Sequence, residues 1–298
     1  MTKPKKKSNQ GRFVWFILLG LIGLGYLISV LIRGTNFSLF NNKGLIAHEQ
    51  HNLMMYTAGV MLLIAVPSVL LLYFTAWKYR ETNTKATYAP NTPHSKKFEL
   101  FAWGAPFVVM VILASMMWPA THRLQPQKAI AADNQQMTIQ VISLRWKWLF
   151  IYPEQGIATV NFVQMPVNTP VQFELTADET PMSSFWIPNI GGQLYSMTGH
   201  VNRLNLMADT AGDYPGSSAE LNGAGFSSMK FTARASSMES FNDWVNEVKQ
   251  SPEILNSDEY GRLLRPTENV PPAIYSSFDQ DLYDTVISKY NAPGEHHH

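Results

Sequence analysis

The stretch "MTIQVISLRWKWLFIYPEQGIATVNFV" (137–163) decides how this chain is read. It holds three short runs rich in β-branched and aromatic residues: "MTIQVIS" (137–143), "KWLFIY" (147–152) and "ATVNFV" (158–163). Pro153 and Gly156 break the second run from the third, as turn residues do between strands. Further runs follow at similar spacing: "VQFELTA" (171–177), "SFWI" (184–187), "VNRLNLMA" (201–208) and "MKFTARA" (229–235). Short strands at such intervals predict a β-sandwich or barrel. Strand alternation places Trp146 and Trp148 on one face and Arg145 and Lys147 on the other.

Beyond the last of these runs the period changes from two to that of a helix. "SSMESFNDWVNEVKQ" (236–250) offers a serine cap followed by Phe241, Trp244, Val245 and Val248 at helical spacing. "SPEILNSDEYGRLL" (251–264) has Ser then Pro at a helix start, and "DQDLYDTVISKY" (279–290) is a third candidate. The back of the chain is thus expected to be an all-β domain with a helical tail.

The front is different in kind. "FVWFILLGLIGLGYLISVLI" (13–32), "LMMYTAGVMLLIAVPSVLLLYFTAW" (53–77) and "LFAWGAPFVVMVILASMMWPA" (100–120) carry no charge. Each reaches the roughly 20 residues that cross a hydrocarbon core. Trp15, Trp77, Trp103 and Trp118 lie near segment ends, where indoles favour the interface. Pro67 and Pro106 fall inside the second and third segments and are tolerated in membrane helices. "KPKKK" (3–7) and Arg12 precede the first segment, and Lys78, Arg80, Lys85, Lys96 and Lys97 lie between the second and third. Positive loops stay inside, so three crossings put the β domain outside the cell membrane. Segment 13–32 also admits a reading as a cleaved signal peptide, although its apolar run exceeds the usual ~7–15 residues and no A-x-A site follows. The expected organisation is a cytoplasmic tail and anchor over 1–40, a transmembrane hairpin over 41–122, the β domain over 123–235 and the helical tail over 236–298.

Charge and cysteine usage exclude several function classes. Past residue 120 there are 11 Lys+Arg against 19 Asp+Glu, so no basic stripe speaks for nucleic acid. There is no cysteine, which removes disulfides, zinc thiolates and iron–sulfur clusters, and any copper centre built on thiolates. No nucleophile elbow and no phosphate-binding glycine loop occur. His48 and His51 in "HEQH" stand at i, i+3 without a third ligand, and the plain reading is a surface or interfacial pair. Asp178, Glu179 and Glu220 are expected to be solvated or at a subunit contact.

"FTAWKYRETN" (74–83), "HSKKFELFAW" (94–103), "RWKWLFIYPEQGIATVN" (145–161), "SSFWIPNIGGQLYSMTG" (183–199) and "GAGFSSMKF" (223–231) together carry a resemblance. Over roughly residues 43–250 the chain resembles subunit II of haem–copper ubiquinol oxidases of the cytochrome bo type. The family pattern has a lipid-modified cysteine after a signal peptide. This sequence has none, so an anchor at 13–32 is the expected substitute. The resemblance implies a cupredoxin-like Greek-key sandwich. In the related cytochrome c oxidases this sandwich holds a binuclear copper centre. Laid on this sequence, the two thiolate positions are Ser218 and Asn222, the backbone-carbonyl position is Glu220, and the histidine positions are Phe226 and Ser183. Met229 is the one ligand side chain of five that survives, and a single thioether cannot hold a copper pair. Phe226 and Met229 are then expected to fill apolar space where copper would sit.

The same resemblance implies the rest of the assignment. Haems and copper lie in a large subunit I, ubiquinol is the electron donor bound in the membrane, and this chain itself binds no cofactor. Its partners are subunit I, the other oxidase subunits and membrane lipid, in a bacterial inner membrane. Glu99 matches the glutamate at the entrance of a proton channel into subunit I. Read from the residues alone, Glu99 is a carboxylate placed favourably at a helix N-terminus. Trp146 and Trp148 match an aromatic cluster between the copper site and subunit I, and are expected to pack at the subunit interface. A membrane-tethered β-sandwich that only binds or scaffolds a partner is the alternative reading at this stage.

Overall fold

In the computed structural model, residues 40–87, 95–132 and 134–291 are described, with isolated positions before them. Segment 13–32 lies outside the described residues apart from such positions. Residues Met1–Asn41 and Asn42–His298 form separate units.

Two long helices come first, α1 (Leu45–Lys78) and α2 (Lys96–Arg123). Both run past the apolar segments that announce them, because polar flanks such as "HEQH" continue the helix before lipid depth is reached. Both are long and apolar enough to cross a membrane. Their side chains are apolar all round: only Ala47 is buried in α1, and only Val109 and Ala120 in α2. A helix with no polar face outside a protein core belongs in lipid. Ser95 caps α2, its hydroxyl accepting from the Phe98 amide. Pro67, Pro106 and Pro119 lie within the helices.

The strands are β1 (Met137–Leu144), β2 (Lys147–Tyr152), β3 (Ile157–Val160), β4 (Phe162–Pro166), β5 (Val171–Ala177), β6 (Ser183–Trp186), β7 (Gln193–Ser196), β8 (Asn202–Leu206), β9 (Gly212–Ser218), β10 (Lys230–Ser236) and β11 (Ala273–Tyr275). They form a six-stranded sheet in the order β11-β3-β2-β1-β5-β8 and a five-stranded sheet in the order β4-β10-β9-β6-β7. The pairs β1–β5 and β4–β10 are parallel, which requires crossovers rather than hairpins.

Between the sheets lies an aromatic core. Phe185 stacks on Phe231 at 5.1 Å, and Trp148 meets Phe185 edge-on at 5.3 Å. Phe150 and Phe173 close the same cluster. Asn161 divides "ATVNFV" into two strands of different sheets, so the run is not the single strand that its composition suggests. Its backbone takes a left-handed φ of 54°. Its carboxamide accepts from the Trp148 amide at 2.9 Å and donates to the Val270 carbonyl at 2.8 Å. Strands β7 and β9 carry no clear signal in the sequence. "GDYPGSS" (212–218) reads as a loop by its Gly and Pro, yet it pairs with β10 and β6.

The tail supplies α3 (Met238–Val248), α4 (Ser257–Leu263) and α5 (Leu282–Asn291), together with β11. Ser237 caps α3. α4 begins later than the Ser-Pro signal suggests, because Asn256 accepts from the Glu259 amide and sets the start there. Leu255, Tyr260, Tyr275, Leu282, Tyr283 and Val286 pack on Ile142, Leu144, Leu149, Ile151, Ala158 and Val160 of the six-stranded sheet. This explains why every residue of β2 is buried: one face meets the core and the other meets the tail. Full burial of such side chains is worth about 1.5–3 kcal/mol each, an upper figure because unfolded chains already shield part of this area.

Candidate functional site

The site grows out of the connection between β9 and β10. Ser218 ends β9, and its amide donates to the Met229 carbonyl at 3.2 Å, closing the loop at its base. A 3-10 turn, Ala224–Ser228, occupies the middle. Trp146 lies over that turn. A Cβ on Gly225 would stand 2.3 Å from the Trp146 ring, so only glycine fits. Gly223 has a φ of 115°, which L side chains rarely adopt. The Trp146 indole N–H donates to the Asn222 carbonyl at 3.4 Å.

At the centre is Asn222. Its carboxamide donates to the Ser183 hydroxyl at 2.8 Å and to the Met229 sulfur at 2.9 Å. All three residues are buried. Asn222 Oδ1 is buried without a hydrogen-bond partner. The Ser218 hydroxyl donates to the Glu220 carbonyl at 3.0 Å and accepts from the Ser184 amide. Ser183, Ser218, Asn222 and Met229, four of the positions that the resemblance matches to copper ligands, thus come together at this loop, and Glu220 joins through its carbonyl. Phe226 does not: its amide donates to the Gly223 carbonyl, and its ring stays partly exposed. The space expected for Phe226 and Met229 is filled instead by Met229 and the Asn222 amide. A carboxamide is compact enough to reach both neighbours, whereas the turn at 224–228 carries Phe226 outward.

These donors do not fit copper. Two hydroxyls, an amide and a thioether include no thiolate and no imidazole. Among the described residues, no three His, Cys, Asp or Glu side chains come together.

Trp146 and Trp148 separate. Trp148 has no exposed surface and belongs to the core, so it offers nothing to a subunit interface. Trp146 lies in the β1–β2 turn with a left-handed φ of 65°, where strand alternation does not apply, and part of its ring is accessible. Lys147 points away from Trp148, but the face it reaches is covered. Its ammonium donates to the Leu263 and Arg265 carbonyls at 2.7 and 2.8 Å. Burial lowers its pKa to about 8.

Asp178 also departs from the sequence reading. It is buried, not solvated. It accepts from Tyr260 and Tyr290 hydroxyls at 2.7 Å each and from Lys289 at 3.0 Å. Desolvation raises the Tyr260 hydroxyl pKa, and the Asp178 charge adds to the rise. Glu179 has a φ of 49°. It accepts from Lys289 through its side chain and from Arg145 through its carbonyl. The tail therefore grips the segment leading to Ser183. No local signal marks these partners, which are over 80 residues apart in sequence.

Glu99 sits in the first turn of α2, far along the chain from this loop and exposed in the isolated chain. His48 pairs with Asp209 at 2.9 Å and Glu49 with Arg123 at 2.7 Å. The His48–Asp209 pair, with backbone bonds from Lys43 and Ala47 to Asn189 and Ile190, seats the start of α1 against the sandwich, while Glu49 and Arg123 tie α1 to the end of α2.

Comparison with known proteins fixes the family. The subunit 2 of cytochrome bo(3) ubiquinol oxidase from Pseudomonas putida is 44% identical over 267 residues, covering 90% of this chain and 85% of that protein. The chain belongs to the cytochrome bo(3) ubiquinol oxidase subunit 2 family. The same subunit of Pseudomonas aeruginosa is 42% identical, with 90% and 80% covered. Ubiquinol oxidase subunit 2 of Acetobacter aceti is 40% identical, with 92% and 90% covered. Residues 154–236 match the family described as the periplasmic domain of cytochrome c oxidase subunit II. Residues 249–294 match the COX aromatic-rich motif. As a bo(3)-type subunit 2, the chain is a membrane protein with two apolar helices and a cupredoxin-like periplasmic domain, and it is one subunit of a terminal respiratory oxidase. The aromatic-rich motif coincides with the tail that covers β2 and holds Asp178.

Proposed function

We propose that this chain serves an oxidase that oxidises ubiquinol, reduces dioxygen to water and pumps protons out of the cytoplasm, and that it does so without accepting electrons itself. The observation that carries this reading is the Asn222 bridge. In this chain an amide joins Ser183 to Met229 at positions that hold metal ligands in copper-bearing relatives. A donor such as cytochrome c has no redox centre here to reduce. Subunit I holds the haems and copper and takes electrons from quinol within the membrane. Each dioxygen takes four electrons from two ubiquinols and four protons, giving two waters.

The role left to this chain is structural and protonic. Glu99 stands at the end of α2 that follows the basic loop, on the cytoplasmic side of a bacterial inner membrane, and it collects protons for a channel into subunit I. A carboxylate at that depth is a fitting proton collector. Trp146, which keeps exposed surface beside the loop, faces subunit I. The chain contacts the other oxidase subunits and membrane lipid.

The test is oxygen uptake by the purified complex with a short-chain ubiquinol and with reduced cytochrome c as rival donors. Ubiquinol alone should sustain turnover. Glu99→Ala should slow it while leaving haem content and assembly intact; unchanged turnover at every pH removes Glu99 from the path. Purification of a lone colourless chain would instead favour a scaffold protein.

A further inference from the structure

A cleft of about 840 Å³ opens between the cytoplasmic halves of α1 and α2. Its walls are apolar, with Pro67 on one helix and Pro106 on the other, and Gly104 and Phe101 between. Apart from Ser68, the polar lining is Lys97, which stands one residue into α2. At the outer ends the helices are tied by Arg123 and Glu49. In sequence, the stretch joining the two helices carries Lys78, Arg80, Lys85, Lys96 and Lys97 against Glu81 and Glu99, and Lys97 is the charged residue that lines the cleft. Glu99 is not among the lining residues. Lys97 and Glu99, two apart on a helix, point to different sides.

We propose that this cleft binds one anionic phospholipid of the cytoplasmic leaflet, with an acyl chain between Pro67 and Pro106 and the phosphate at Lys97. Basic pockets between membrane helices on the cytoplasmic side suit such headgroups. A helix of another subunit in the same place would bury the Lys97 ammonium against hydrocarbon, which costs several kcal/mol unless an acid meets it. A lipid satisfies both halves of the cleft at once. The proposal rests on α1 and α2 spanning the bilayer and not on the quinol assignment, so either can fail without the other.

The experiment uses the assembled complex in nanodiscs of mixed phosphatidylglycerol and phosphatidylcholine. A photoreactive p-benzoylphenylalanine is placed at position 101, and the mass of this subunit is read after illumination. The expected product is the subunit joined to phosphatidylglycerol in excess over phosphatidylcholine. Lys97→Gln should cut the phosphatidylglycerol adduct about fivefold, the worth of one cation beside an anionic surface, and Lys97→Arg should restore it. The haem spectrum of each variant reports that the complex is assembled. A product joined mainly to another subunit would overturn the proposal, as would equal labelling by the two lipids or labelling indifferent to Lys97.

Discussion

The Asn222 carboxamide donates to Ser183 and to Met229, and those residues belong to different strands' ends, at the start of β6 and just before β10. Asn222→Ala leaves the Ser183 hydroxyl and the Met229 sulfur without that donor. It should cost about 1–3 kcal/mol, read as a lower unfolding midpoint with haem content unchanged. Gly225→Ala should cost a similar amount by a different route, because its Cβ must displace the Trp146 ring rather than a flexible side chain. Lys147 gives a pH signature. Its pKa in the fold lies near 8, below the value of about 10.4 for a free lysine. Between those values the unfolded chain binds more protons, so stability rises with pH there. Unfolding midpoints of the native chain should therefore gain on those of Lys147→Met as pH goes from 8 to 10, and parallel curves would refute the buried-ammonium account. The matched ligand positions were legible only through the family resemblance. The occupants were not, since nothing local tells that an amide rather than Phe226 would fill the gap. Lys147 and Asp178 were hidden for the same reason: their partners come from the tail.

At the scale of elements, the tail is the feature that periodicity half revealed. Helical spacing in "SSMESFNDWVNEVKQ" gave α3 directly, and Phe241, Val245 and Val248 are buried as that spacing requires. The strip from Asn256 to Asn291 showed its helices, but its strand β11 and its seat on the sheet depend on contacts with β3 and on the Asp178 cluster. An all-buried β2 was a warning that the sandwich needs a cover on its outer face. Leu255→Ala should destabilise the periplasmic domain by about 2–5 kcal/mol. Tyr260→Phe with Tyr290→Phe should loosen α5 and raise amide exchange over residues 178–183 while β9 and β10 stay protected. Equal exchange in wild type and double variant would mean that the tail does not hold that segment. The membrane helices were the most legible elements, because lipid demands an uninterrupted apolar run. Their ends were not, since "HEQH" continues α1 through ion pairs to Asp209 and Arg123.

For the whole molecule, one sequence carries two solvents' worth of design. Helices α1 and α2 turn apolar side chains outward, and the back hides its apolar groups between two sheets and a tail. The junction is made by Gly44, whose neighbour Ile190 leaves no room for a Cβ, and by backbone bonds from Lys43 and Ala47. The periplasmic sandwich brings only hydroxyl, amide and thioether groups together at the β9–β10 loop, and under the proposed function such a sandwich accepts no electrons. The account therefore stands or falls on which donor feeds the complex. The most direct measurement is oxygen consumption by the purified oxidase with ubiquinol and with reduced cytochrome c, each at saturating concentration. Turnover with ubiquinol and none above background with cytochrome c is the predicted result; sustained oxygen uptake from cytochrome c would contradict it.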